Sequence, residues 1–543
     1  MPITAILEKN AKLYPDDISL VEVNPKSKSE GGPLCGAYSF ADPDRGAERN
    51  EITWKEFDER ANRFANLLIS KGIKKGDKVA ILLMNCLEWL PIYFGTLKAG
   101  ALAVPLNFRF TAEEICHCLN IAECKALVFG PEFVERVESV KGDLPCLKLN
   151  FYLCDGTPPK FAESYNRLAA ASSPENPCVE LSDGDDAAIY FSSGTTGMPK
   201  AILHIHKTLM FACEVEQNHH GQTKEDIFLC IPPLYHTGAK MHWFGSLLTG
   251  GRGVILKGTD PDLILRTISN EGCTIVWLLV PWVQDILDML DRGGIKLSEY
   301  SLSQLRLMHI GAQPVPPSLV KRWLEYFPGQ QYDTNYGLSE SIGPGCVHLG
   351  VENIENVGSI GKAGYGWQVK IVDTDLKEVN PGEVGELAVK GDGVMKFYYK
   401  NPEATCEVLK DGWLLTGDMA RADGDGFIYL VDRKKDVIIS GGENIYPVQI
   451  ENFIRTNSAV KDAAVIGIPD KRLGEIAAAV IEVKEGCVLT DDEVNRFCME
   501  LPRYKRPRKI IFDKVPRNPT GKIEKPKLRG IYSGFAENSP GMC

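Results

Sequence analysis

The chain has no run of about 18 apolar residues, so no membrane span is expected. Its most apolar stretch, Thr274 to Val283, has the length of a buried strand. Positive charge is not in excess either: 61 basic against 72 acidic residues give a formal charge of −11. A general nucleic-acid binder or a binder of anionic membranes needs a cationic face, and neither is expected here. Cysteine pairs at zinc-site spacing are missing. The 16 cysteines are scattered, and the tightest group, Cys116, Cys118 and Cys124, has C-x-C spacing where zinc sites have C-x₂₋₄-C. They read as buried or free reduced thiols. The first residues, MPITAILEKNAKLYPDD, carry an early Glu and no long apolar core, which makes a poor secretion signal. The ending SPGMC matches neither a peroxisomal nor a prenylation signal. The expectation is a cytoplasmic protein without integral membrane association. No repeat at a fixed period is visible.

What is present is ordinary globular composition. The 543 residues are 44% hydrophobic and 24% charged, and the length suggests about three to five domain-sized units. Thr53-Trp54-Lys55-Glu56 is a capping-box pattern. Phe57, Ala61, Phe64, Ala65 and Leu68 follow at helical spacing, and Gly72 suits the residue just past the helix end. Strand-like runs at Val79–Met84, Ala101–Pro105, Ala126–Phe129, Ala187–Phe191 and Thr274–Val280 alternate with helical ones such as Trp89–Leu97. This rhythm predicts an α/β fold with parallel sheets and helices on their faces. Residues 24–50, rich in Gly, Pro, Ser and Asp, read as a surface insertion. Between Glu500 and Gly530 stand 11 Lys or Arg, opposed only by Glu500, Asp513 and Glu524. The run is either a solvated face or a surface for phosphate-bearing small molecules.

The most informative segment runs from Tyr190 to Lys200, YFSSGTTGMPK. Ser192, Ser193, Gly194, Thr195, Thr196 and Gly197 offer hydroxyl and backbone N–H donors after a strand, and Lys200 ends the loop. Donors packed this way suit phosphate oxygens. It is not a Walker A loop, because G-x-x-x-x-G-K-[ST] is absent. The whole string resembles the signature of the adenylate-forming superfamily, which includes acyl-CoA synthetases. Asn335-Tyr336-Gly337-Leu338-Ser339-Glu340 resembles its Y-G-x-T-E motif, and Trp413–Asp418 its W-x-x-T-G-D motif. Asp432–Asp436 is similar to its hinge motif, and Pro516–Lys522 to its P-x-x-x-x-G-K motif. The motifs occur in the family's order across residues 190–522, and the resemblance covers essentially the whole chain. Ala201 stands where the family usually has Gly, which requires a negative φ, and Ser339 where it usually has Thr, which keeps the hydroxyl.

The resemblance implies a large N-terminal adenylation region of α/β subdomains, 1–431, and a small mobile α+β C-terminal domain, 432–543. It implies an ATP-dependent ligase that joins a small carboxylic acid to coenzyme A through an acyl-adenylate, with Mg²⁺, releasing AMP and pyrophosphate. Lys522 would face the carboxylate and α-phosphate, and Lys200 the outer phosphates. Glu340, supported by Thr196, would hold Mg²⁺. Tyr336 would stack on adenine, with Asn335, Gly337 and Ser339 beside it and Gly311-Ala312-Gln313 as the opposite wall. Asp418 would bind the ribose, assisted by Arg433. Asp432 would be the hinge whose rotation brings Gly441 and Gly442 to a pantetheine tunnel. Pro233–Gly238 resembles a segment flanking the acyl pocket, where His236 would orient the carboxylate or gate the tunnel, unless it merely packs. Trp243, Trp282 and Met241 would shorten that pocket for a compact acid, unless they are plain core, and Lys240 would meet a distal substrate charge or solvent. A homodimer is consistent with the family. The rival readings are a free-standing enzyme that loads a carrier protein, an ATP-binding regulator without turnover, and an oxygenating use of the adenylate.

Overall fold

The computed structural model describes residues 1–23, 49–192, 198–311, 315–441, 443–517 and 523–532. Outside them lie Ser193, Gly194, Thr195, Thr196, Gly197, Ala312, Gln313, Gly442, Lys522 and residues 24–48 of the expected insertion. Two compact units are present: Met1–Val369 with Val389–Leu414, and Lys370–Ala388 with Leu415–Cys543.

The first unit contains two large sheets. In the nine-stranded one, six neighbours are parallel: Gln331–Gly337, Leu307–Gly311, Ile275–Leu279, Ile227–Cys230, Arg252–Leu256 and Ile18–Val23. Antiparallel strands close both edges. In the eight-stranded sheet, Asp186–Ser192 runs parallel to Leu102–Pro105 on one side and pairs antiparallel with Lys200–Ile205 on the other. The expected α/β class is therefore observed.

Local chemistry explains the elements. Thr53 caps the helix Trp54–Ser70 through a complete capping box, and Gly72 takes φ +87° just past its end. That helix and Trp89–Lys98 bury Trp54, Phe57, Phe64 and Phe94 in one core, which Trp243 also joins. Two boundaries differ from expectation. The apolar run from Thr274 is strand only over Ile275–Leu279; the helix Val280–Asp291 begins there, with Pro281 in its first turn, where a missing N–H costs nothing. The polar insertion ends earlier than residue 50, because Arg49–Thr53 is an edge strand and Arg49 Nε donates to Glu271 at 2.7 Å.

The second unit is α+β. Val460–Asp470 and Gly474–Val483 form a long antiparallel pair, and Lys509–Phe512 lies parallel to the second strand. Ile450, Ile454, Val465 and Ala479 pack in its core. The basic run is partly consumed inside this unit. Arg517 binds Asp462 at 2.7 Å, Lys525 binds Glu451 at 2.9 Å, Arg529 binds Asp436 at 2.7 Å, and Arg506 donates to the carbonyls of Leu501 and Met499. Four of the 11 basic residues are thus engaged in structural pairing. No helix among the described residues is long and apolar enough to cross a membrane.

Candidate functional site

Parallel strands bring their carboxyl ends to one edge, and ligands of open α/β sheets bind there. In the nine-stranded sheet that edge carries Gly311, then Asn335, Tyr336 and Gly337 on the neighbouring strand. Tyr336 is buried and Asn335 half-buried, and the Asn335 amide nitrogen has no hydrogen-bond partner among the described residues. A buried amide without a partner costs stability unless something polar fills the gap. Gly311 is small for a reason: a Cβ there would lie 3.2 Å from His309 Nε2.

The eight-stranded sheet supplies the other wall. Ser192 and Lys200 stand opposite each other where Asp186–Ser192 and Lys200–Ile205 pair. Ala201, in the second strand, is buried and is not among the residues with positive φ, so the expected condition on its backbone is met. The Lys200 ammonium lies 5.1 Å from the centroid of the Tyr398 ring. Tyr398 donates its hydroxyl to Glu340 Oε1 at 2.9 Å, and the Glu340 carbonyl accepts the Met395 N–H at 2.7 Å. Burial first, and Glu340 second, push the Tyr398 hydroxyl far above its ordinary pKa, so it stays a donor. His204 Nε2 is 2.8 Å from the Ser339 carbonyl. Within this unit the loop lysine, the Ser339–Glu340 segment and the end of the 331–337 strand therefore converge.

Tyr398 and His204 were not expected from the sequence. Tyr398 lies 58 positions from Glu340, and no motif marks it. Trp277 was missed likewise: Gly238 approaches it so closely that a Cβ there would fall 2.9 Å from the indole.

Other expectations change. Trp243 is core, packed on Phe57 and Phe94 with ring centroids 6.0 and 6.2 Å away. Lys240 reaches neither solvent nor a carboxylate. It is fully buried, donates to the Leu234 carbonyl at 2.8 Å, and faces the rings of Trp89, Tyr93 and Tyr190. Burial drives its pKa well below 10.5. His236 is half-buried at the start of the helix Thr237–Thr249, and Trp282 is half-buried against the core of the nine-stranded sheet.

In the second unit, Trp413–Ala422 pairs with Ile428–Arg433 so that Asp418 faces Arg433. Arg433 Nε donates to Asp418 Oδ1 at 2.6 Å, and the Asp418 side chain is only 6% exposed. Asp432 accepts the N–H groups of Val448 at 2.8 Å and Arg433 at 2.7 Å. Burial raises its pKa to about 6, against the opposing charge of Lys525 4.0 Å away. Gly441 takes φ +60° and donates its N–H to Leu473. Arg517 and Ile523 form an isolated antiparallel bridge on either side of residues 518–522.

The buried imidazoles of this region predict acid sensitivity. His204 and His206 both fall from 6.5 to about 4, chiefly because burial disfavours the charged ring. Unfolded, each titrates near 6.5, so between pH 6.5 and 4 the unfolded chain takes up protons that the folded chain refuses. Their contribution is present above pH 6.5 and lost as pH falls through 4. Each shift of that size is worth about 3–4 kcal/mol at most. The thermal midpoint should fall over this range and fall less steeply in His204→Asn. A midpoint independent of pH between 6.5 and 4 contradicts this.

The comparisons with known proteins agree with one another. The profile of AMP-binding enzymes matches residues 7–399, and that of the AMP-binding enzyme C-terminal domain matches residues 449–522. A long-chain-fatty-acid–CoA ligase of Mycobacterium tuberculosis is 33% identical over 490 residues, 89% of this chain and 93% of that protein. A feruloyl-CoA synthase of an Amycolatopsis species is 33% identical over 486 residues, 88% of this chain and 93% of that protein. Among solved structures, an anthranilate CoA ligase in complex with anthranoyl-AMP superposes with a TM-score of 0.84 at 26% identity, covering 99% of this chain and 98% of that one.

Proposed function

The chain belongs to the AMP-binding, adenylate-forming enzymes, and from that premise we propose how its own residues divide the work of an acyl-CoA synthetase. It is an ATP-dependent carboxylic acid–CoA ligase that forms acyl-CoA, AMP and pyrophosphate through an acyl-adenylate. ATP, Mg²⁺ and coenzyme A take part. The observation that carries the assignment of roles is the convergence of Lys200, Tyr398 and Glu340 beside the strand end bearing Asn335 and Tyr336.

Adenylation brings a carboxylate up to a polyanion and places further charge on the α-phosphate. Fixed cationic groups lower that barrier because they need no reorganisation as charge develops. In this reading Lys200 with the Ser192–Gly197 hydroxyls and amides holds the outer phosphates. Tyr336 stacks on adenine, Gly311, Ala312 and Gln313 form the facing wall, and the Asn335 amide meets the polar edge of the base. Gly337 and Ser339 keep the chain close to the nucleotide. Glu340 is a hard oxygen donor fixed by a phenol, which fits a Mg²⁺ ligand, and Thr196 is its second support. Bound there, Mg²⁺ would neutralise phosphate charge. Asp418 accepts from the ribose hydroxyls while Arg433 holds its carboxylate in position. Lys522 bridges the carboxylate and α-phosphate, and His236 orients the acid.

The functional boundary is placed at Asp432, with 1–431 as adenylation region and 432–543 as mobile domain. Rotation there exchanges Lys522 for Gly441 and Gly442, whose missing side chains leave room for a pantetheine arm. The protein acts in the cytoplasm as a homodimer and binds no nucleic acid. The acid is compact, aromatic or aliphatic, in keeping with the feruloyl and anthranilate ligases among its relatives. An acid panel spanning two-carbon, medium-chain, ring and dicarboxylic substrates tests this with free CoA and, separately, with a phosphopantetheinylated carrier protein. Acyl-CoA should form at least tenfold faster than acyl-carrier. Acylation of the carrier alone contradicts the assignment.

Tyr398→Phe leaves the Glu340 charge and removes its orienting hydrogen bond. Loss of such an outer partner costs about tenfold in metal affinity. The Mg²⁺ concentration for half-maximal adenylation should rise by that factor, while thioester formation from supplied acyl-AMP stays unchanged. An unaltered Mg²⁺ dependence removes Tyr398 from the site.

A further inference from the structure

One register step before Gly311 and Asn335, the nine-stranded sheet holds Trp277, His309 and Asp333 side by side on three parallel strands. The last turn of the helix His206–His220 brings Glu216, His219 and His220 to them. The spacing E-x-x-H-H places all three on one helical turn, i, i+3 and i+4. His220 Nε2 is 3.1 Å and His219 Nε2 3.3 Å from Asp333 Oδ2, and His309 Nδ1 is 2.7 Å from Asp333 Oδ1. The donor atoms of Glu216, His219 and His220 lie within 4.8 Å of one another, as do those of His220, His309 and Asp333.

The cluster is dry and holds two carboxylates. The side chains of Glu216 and Asp333 are 0% exposed and that of His219 is 2% exposed. Buried carboxylates need positive charge beside them. The nearby guanidinium of Arg306 is already engaged by both oxygens of Asp226 at 2.8 Å and by the His220 carbonyl at 2.9 Å. Neither ring nitrogen of His219 makes a hydrogen bond among the described residues. An imidazolium there would have Asp333 Oδ2 near one N–H but would bury its Nδ1–H without an acceptor, whereas a metal ion needs only the lone pair that the neutral ring offers.

We propose that Glu216, His219 and His220, the two rings oriented from behind by Asp333 and His309, bind one divalent first-row transition-metal ion, zinc by preference, in a structural role. Mixed imidazole and carboxylate donors without sulfur suit zinc, and Mg²⁺ favours oxygen alone. Donors bonded to a tetrahedral zinc stand about 3.3 Å apart, so small side-chain rotations close the site. The ion would tie the helix end to the strand two residues before Asn335, apart from Glu340.

The test uses the full chain, expressed with added zinc and passed through an EDTA-containing buffer, with metal content measured by mass spectrometry. About one zinc per chain is expected, with a thermal midpoint restored to the stripped protein by zinc but not by magnesium. Cobalt(II) exchanged into the site should show the visible absorption of a four-coordinate ion. His219→Ala and Asp333→Asn should each retain less than about a tenth of the metal. Should either fail to fold, His219→Cys keeps a ligand and should add a thiolate-to-cobalt charge-transfer band. Wild-type protein without zinc above the blank, or variants with undiminished zinc and an unchanged cobalt spectrum, overturn the proposal.

Discussion

Lys522→Ala should lose adenylation by at least about 10²–10³-fold while still converting supplied acyl-AMP and CoA into thioester at close to the normal rate. The asymmetry follows from the charges. Attack on the α-phosphorus brings two anions together, and in the proposed division of roles the ammonium of Lys522 would stabilise the charge that develops. Attack of a thiol on the acyl carbonyl of the adenylate involves no phosphorus, so the same lysine has nothing to stabilise there. Lys522 itself lies outside the described residues; of those flanking it, Arg517 bridges to Ile523 and pairs with Asp462. Stopped-flow measurement of each half-reaction separates the two effects. Equal loss in both would mean that Lys522 supports the fold or a shared step, and the exchange of residues about Asp432 would have no basis.

Glu340→Gln is the second large effect, about 10²-fold on adenylation at fixed Mg²⁺ and partly recovered as Mg²⁺ is raised. The substitution is chosen for what it leaves intact. An amide carbonyl still accepts the Tyr398 hydroxyl, and the Met395 N–H bonds the backbone carbonyl of residue 340 whatever the side chain is. Only the negative charge is removed. Tyr398→Phe makes the complementary change, keeping the charge and losing its orientation, so the two variants separate electrostatics from positioning. If Glu340→Gln shows a normal rate and a normal Mg²⁺ requirement, the carboxylate is not a metal ligand and the site must be built around another oxygen.

The parts of the fold that were legible in the sequence are those set by local rules. The capping box at Thr53 and Glu56, the glycine after Ser70 and the apolar runs of the parallel strands each need only their neighbours in the chain. Motif strings likewise singled out Ser192, Lys200, Asn335, Tyr336 and Glu340; the first four lie in the terminal residues of strands and Glu340 in the turn after Gly337. Partners supplied by tertiary packing were not legible. Tyr398 sits on a two-residue strand whose position depends on pairing with Ile202 and Leu203. The aromatic box around Lys240 draws on a helix and a strand distant in the chain, so a lysine expected to meet a substrate charge or solvent is buried. Three members of the basic run were hidden for the same reason, since Asp432, Asp436, Glu451 and Asp462 come from elsewhere to meet Arg517, Lys525 and Arg529.

The central claim is that an oxygen of the acid attacks the innermost phosphate of ATP. Supplying a turned-over acid labelled with oxygen-18 in its carboxylate, together with ATP and CoA, and weighing the nucleotide product by mass spectrometry follows that oxygen directly. The account predicts AMP carrying one labelled oxygen for each acyl-CoA formed. Unlabelled AMP, or label in orthophosphate beside ADP, would contradict it.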